Sequence, residues 1–83
     1  MNWHNGVGVR PEAVRISREA AAPAAIEARV SAVVFLGPVT HVEMKTASGE
    51  ALLAQVASGG EPYRPGNVVH VWWDRADELR LPE

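Results

Sequence analysis

Three histidines, ten carboxylates and a single lysine carry most of the reactive chemistry in this 83-residue chain. None of them stands in a spacing that chemistry requires. His4, His41 and His70 lie far apart, and no H-E-x-x-H pair sets two imidazoles on one helix face beside a carboxylate base. Lys45 follows Met44, so no G-x-x-x-x-G-K-[ST] loop offers its backbone N–H groups to a phosphate. Gly6 and Gly8 begin a dinucleotide-type G-x-G, but Pro11 occupies the third glycine position and no helical pattern follows. Ser17, Ser31, Ser48 and Ser58 fall outside any G-x-S-x-G elbow. Glu12, Glu43 and Asp74 would act as acid or base only in a pocket that gathered them. A β domain of this size fills its interior with side chains. The expectation is therefore no enzyme in this chain, with neither catalytic residues nor a metal or cofactor site.

The bulk properties agree. The length is that of one thin-cored domain, and the absence of cysteine removes disulfides and thiolate ligands as reinforcement. Hydrophobic residues make up 47%, enough for a globular chain rather than a disordered one. Basic and acidic residues, 8 and 10, are intermixed, so no basic stripe is available to neutralise a phosphate backbone. No apolar run approaches the roughly 20 residues that span a bilayer, and "MNWHNGVGV" lacks the layout of a signal peptide. A soluble, cytoplasmic chain is expected.

The elements read as strands. Val7 and Val9 form a short one that Pro11 ends, and Ala13–Ile16 reads either as a second strand or as one helical turn opened by that proline. Pro23 interrupts the alanine-rich stretch after Arg18, which reads as loop. From Ile26 to Ala32 apolar and polar residues alternate, as in a half-buried strand. Val33-Val34-Phe35-Leu36 breaks that alternation, which implies burial on both faces or a bulge that re-aims the strand. After Gly37-Pro38, "THVEMKT" and "ALLAQV" flank the turn signal "ASGE" as a hairpin. "NVVHVWW" alternates again, and Leu79 with Leu81 suggests a closing strand. Five or six short strands without a dependable helix predict an all-β, OB-like small barrel, completed within the chain or by strand exchange in a dimer.

Four features then invite a role. Arg10-Pro11-Glu12 reads as a structural corner with a local Arg–Glu pair in preference to a recognition site. Adjacent strand residues point to opposite faces, so Trp73 on the face of Val69 and Val71 leaves Trp72 beside Val68 and His70. That outer row is the candidate interface, since aromatic residues are enriched at binding hot spots; a loop covering Trp72 within the monomer is the alternative. His70 reads as a strand-surface residue rather than a pH switch, and Tyr63-Arg64 as a solvated loop rather than a ligand platform.

Taken in order, these motifs resemble the transport-associated OB (TOBE) domain found at the C-terminus of ATP-binding subunits of bacterial ABC importers. The matching residues are Gly8-Val9, the corner Arg10-Pro11-Glu12, Ala13-Val14-Arg15-Ile16, the strand end Val34-Phe35-Leu36-Gly37, the hairpin around Gly49, and Gly66, Val69, Val71, Trp73 and Asp74 before "ELRLP". The similarity runs from about Gly6 to Pro82 and is greatest to importers of polyamines, ferric iron or sugars. Residues 1–5 fall outside it and are expected to be a disordered or engineered start, with 6–83 as the domain. The molybdate-binding relatives carry a Ser-Ala-Arg-Asn-type segment, whereas here Val30 follows Ala28-Arg29.

The resemblance implies an accessory regulatory and dimerisation domain that acts through protein contacts. Its implied partners are a second copy, an importer ATPase domain and transmembrane subunits, with no nucleic acid and no membrane insertion. ATP and magnesium would belong only to the parent ATPase domain, and the location would be the cytoplasmic side of the inner membrane. The alternative is a sensor of a small solute or oxyanion at a dimer interface, with Thr40, His41 and Arg64 as candidate contacts.

Overall fold

Valines at every second position dictate strands, and the computed structural model, which describes residues 1–19, 25–60 and 62–80, contains eight of them. In chain order they are β1 (Asn2–His4), β2 (Val7–Val9), β3 (Arg15–Ser17), β4 (Ile26–Phe35), β5 (Val39–Thr46), β6 (Ala51–Ala57), β7 (Val68–Trp72) and β8 (Glu78–Arg80). Two single-turn 3-10 segments, Pro11–Ala13 and Arg75–Asp77, are the only helical turns among the described residues. One sheet has the order β3-β7-β4-β5-β6 and curls into a half-barrel; a smaller sheet, β1-β2-β8, lies against it. All pairings are antiparallel. The OB-like all-β expectation stands, with eight strands in place of five or six, because the chain start and the corner contribute three-residue strands. Leu81 lies outside the described residues, as does most of the alanine-rich loop.

Alternation decides which side chains meet. Val42 and Met44 of β5, Leu52 and Ala54 of β6, and Val69 and Val71 of β7 point inward and are buried, together with Val9, Val14, Ala28 and Val30. Each inward residue faces its counterpart across the ladder, as in Val42↔Ala54 and Met44↔Leu52.

One irregularity shapes the outline. On β4, Val30 pairs with Met44, but the next pair is Ala32↔Glu43, so Ser31 is an extra residue in the ladder. Its hydroxyl donates to the Glu43 carbonyl at 3.1 Å. Since the side-chain period is two, one inserted residue switches the inward set from Ala28 and Val30 to Val33 and Phe35, which face Val42 and Thr40. The bulge is thus the reason why Val33–Leu36 breaks the alternation. Burial of that run on both faces is not found: Val34, Phe35 and Leu36 are 41%, 72% and 49% exposed. β4 and β5 run past the covered part of the half-barrel, and Gly37, at φ +88°, turns the chain between them.

The corner combines both readings of its sequence. Pro11 opens the 3-10 turn, closed by Ala13 N–H to the Arg10 carbonyl at 3.0 Å and Val14 N–H to the Pro11 carbonyl at 3.2 Å, and β3 follows at once. The expected Arg10–Glu12 pair does not form; among the described residues Glu78 pairs with Arg80, and His4 meets Glu50 in a hydrogen bond. Residues two apart on a tight turn do not face each other.

Residues 1–5 also correct an expectation. Asn2–His4 are not disordered but pair with β2 in the register Asn2↔Val9 and His4↔Val7. The physical reason lies in the side chains of β1.

Candidate functional site

The outer row of β7 exists as its alternation requires. Val68 is 43% exposed, whereas His70 and Trp72 are half-buried. Trp72 stands opposite Arg15, His70 opposite Ser17 and Glu27, and Val68 opposite Arg29. The row is therefore an apolar stripe hemmed by charge. Trp73, just past the strand, packs against the core; its indole N–H donates to Glu78 at 3.0 Å, and the His4 ring meets it edge-on at 5.7 Å.

The three candidate ligand contacts do not meet within one chain. Thr40 and His41 are consecutive on β5 and point to opposite faces. Thr40 Oγ1 lies 2.8 Å from Ser58 Oγ, and His41 Nε2 lies 3.0 Å from Gln55 Oε1 on the neighbouring strand. Arg64 is exposed in the loop before β7, where its N–H donates to Asn67 Oδ1 at 2.9 Å. Gly66, at φ +94°, and Asn67 anchor that loop to both backbone groups of Val30, at 2.8 and 2.9 Å. Among the described residues no group of three or more His, Asp or Glu side chains is placed to hold a metal ion.

Two further arrangements frame the half-barrel. The first is a seal on the free edge of β6. Asn2 is 4% exposed, and its amide nitrogen donates to the carbonyls of Val9 at 3.0 Å and Leu53 at 2.8 Å. Its amide oxygen accepts from Leu53 N–H at 2.5 Å. Both amide donors and the acceptor are used, so the side chain stands in for a peptide group of a missing neighbour strand. Two residues on, His4 Nδ1 meets Glu50 Oε1 at 2.5 Å, joining β1 to the β5–β6 turn. An open edge strand would otherwise be a template for unwanted pairing.

The second arrangement is an open mouth at the other end of the β5–β6 hairpin. A pocket of about 290 Å³ opens there between Phe35, Val33 and Val56 on one side and Pro62 and Tyr63 on the other, with the Thr40–Ser58 hydroxyl pair in its lining. Val33, Val56 and Tyr63 pack on the buried core, which thus continues into the pocket. Tyr63 is not a solvated loop residue: its hydroxyl donates to the Ile16 carbonyl at 3.3 Å, and the Arg18 guanidinium lies 5.7 Å from its ring centre while also donating to the Pro62 carbonyl.

Asn2 and the mouth are the features that sequence reading missed. A lone asparagine near a chain start carries no pattern, and nothing local says that its amide will meet Leu53. The face that Phe35 takes follows from the bulge, which the broken alternation did signal, and its exposure from the reach of β4 past the covered part of the half-barrel.

Comparison with known proteins completes the picture. No helix in the described residues is long and apolar enough to cross a membrane. No curated protein matches the chain. The family model for the TOBE domain matches residues 7–81, from the first residue of β2 to just beyond β8, leaving the sealing strand β1 outside the matched segment. With nearly the whole chain matched and the OB-like half-barrel in place, this chain belongs to the TOBE-domain family.

Proposed function

We propose that this chain is the accessory domain of a solute importer's ATP-hydrolysing machinery, working through protein contacts and without catalysis of its own. The observation that carries this reading is the TOBE-domain match over residues 7–81, a transport-associated family. The distribution of side chains supports it. His41 and Thr40 are engaged with neighbouring side chains, while apolar groups at the mouth and on the β7 row face solvent. Such a domain would sit on the cytoplasmic side of the inner membrane, pair with a second copy, and contact the ATPase domain and the transmembrane subunits. ATP and magnesium would be handled by that ATPase domain.

The test begins with the neighbouring reading frame. A P-loop ATPase encoded upstream or beside this chain should bind it in a pull-down, and its ATP hydrolysis should change when the chain is added. No binding and no change in rate would overturn the reading. A thermal-shift screen against molybdate, sulfate, phosphate, iron and polyamines addresses solute sensing separately. A saturable shift with one of these would favour the sensor reading over a purely contact-based role.

A further inference from the structure

We propose that the Asn5–Gly6 turn is a site of spontaneous chemical modification: with His4 at its amide, Asn5 cyclises and reopens as isoaspartate, and the product releases the β1 seal from β6. This goes beyond the importer reading and does not rest on it. The turn also lies outside residues 7–81, the segment matched to the family.

Three observations carry it. First, the two residues form the whole loop of the β1–β2 hairpin, closed by the pair His4↔Val7, and both are exposed. Both lie at positive φ, +48° and +79°, the type I′ arrangement for which Asn-Gly is a preferred pair. Second, the nucleophile is bare. Asparagine is among the thermally labile side chains, and Gly6 carries no Cβ to shield the backbone nitrogen that follows it. A Cβ built there would meet no atom within 4 Å, so no neighbour crowds the turn. Third, the leaving group is held. Asn5 Nδ2 lies 3.2 Å from His4 Nε2, and His4 Nδ1 in turn meets Glu50 Oε1. An amide nitrogen only donates, so Nε2 accepts from it and the ring proton sits on Nδ1, facing Glu50. A carboxylate-backed imidazole thus stands at the nitrogen that must depart, and it becomes a general acid once Nε2 is protonated.

In the first step the Gly6 N–H loses its proton to hydroxide, and the nitrogen attacks Asn5 Cγ. The Cγ–Nδ2 bond breaks, and ammonia leaves with a proton delivered from water through His4. The five-membered imide then takes up one water. Attack at Cγ gives aspartate; attack at the backbone carbonyl carbon of residue 5 gives isoaspartate, whose main chain runs through the β-carbon. Water enters and ammonia leaves, with no oxidant or reductant.

Isoaspartate adds a backbone atom to a turn whose geometry is set by its length. Three pairs hold β1 on β2, Asn2↔Val9, Trp3↔Gly8 and His4↔Val7, and the turn closes the last of them. Losing that pair draws His4 from Glu50 and Asn2 from Leu53, so the β6 edge opens.

Ageing the full chain for days in mildly alkaline buffer tests the proposal. Peptide mapping should place the exchange of –NH2 for –OH on Asn5, and protein isoaspartyl methyltransferase should methylate the aged chain there. The aged fraction, separated by its added negative charge, should exchange the Leu53 amide with deuterium about tenfold or more faster than fresh protein, the factor of one lost buried hydrogen bond. Asn5→Gly keeps the positive-φ turn and should gain neither mark, with circular dichroism melts to check that it is folded. Asn5→Asp carries the charge on an unaltered backbone, and its Leu53 exchange should stay within about twofold of the wild type, as for an exposed charge. His4→Phe should slow ammonia release severalfold in the folded chain but not in urea, where the imidazole is no longer held in place. No isoaspartate at Asn5 in the folded chain, an aged chain with unchanged Leu53 protection, or a folded His4→Phe rate equal to the wild type's would each overturn the proposal.

Discussion

The two ends of the β5–β6 hairpin solve the problem of an incomplete barrel in opposite ways. Toward the β5–β6 turn, β1 lies along the free edge, where Asn2 supplies the missing peptide group to Leu53 and His4 reaches Glu50. At the other end β4 and β5 run past the covered part of the half-barrel and leave Val33, Phe35 and Val56 around an open pocket. Polar backbone groups and apolar side chains are thus handled differently. An unpaired buried N–H or C=O carries a desolvation cost of about 1–3 kcal/mol and must be satisfied within the chain. An exposed apolar ring costs far less per group and can await a partner. The sealed end accordingly serves stability, and the open end leaves apolar side chains in solvent.

Substitutions at the two ends should separate these roles, and the core between them sets the upper limit. Met44→Ala, at a site 1% exposed, should destabilise by about 2–5 kcal/mol through lost burial and a residual cavity. Urea unfolding measures this directly. A cost below 1 kcal/mol would mean that the half-barrel core is looser than its burial implies.

Asn2→Ala comes next. It removes three hydrogen bonds and leaves Leu53 unsatisfied, with an expected loss of about 1–3 kcal/mol. In a domain of this length each kcal/mol lowers Tm by about 4–8 °C. The Leu53 amide should also exchange faster with deuterium in the variant than in the wild type. Unchanged protection there would show that β1 is an ornament and not a seal.

Glu50→Gln, which weakens the second clasp, should cost no more than about 1 kcal/mol, since His4 and Glu50 are both partly open to solvent. A larger loss would move the weight of the seal from Asn2 to His4. Phe35→Ser should change the monomer's stability least, within about 0.5 kcal/mol, because the ring is mostly exposed. If it matched Asn2→Ala in a chemical melt at low concentration, the mouth would be part of the monomer's core and the contrast between the ends would vanish.

The glycine and proline positions and the alternating valines made most strands legible in advance. β5, β6 and β7 follow from "THVEMKT", "ALLAQV" and "NVVHVWW", because a period of two is a local property that needs no knowledge of neighbours. The order Arg10-Pro11-Glu12, Leu36-Gly37, Gly66 and Trp73-Asp74 carried the family resemblance for a similar reason, since turns and strand ends are set by local backbone preference. The outward placement of Val68, His70 and Trp72 was legible too. Their degree of exposure was not, because it depends on what the adjacent strands carry.

What the sequence determined by itself was therefore the periodicity: which residues are strands, where they turn, and which side chains share a face. What only the tertiary structure decided was where those faces meet or fail to meet. Ser31 shifts the parity of β4 so that Phe35 turns toward the barrel mouth, a consequence of its register with Glu43 and Val42 on another strand. Asn2 becomes a structural residue because Leu53, 51 positions away, is brought to its amide. Hydrogen-bond satisfaction and burial depend on partners distant in the chain, and local preference cannot specify them.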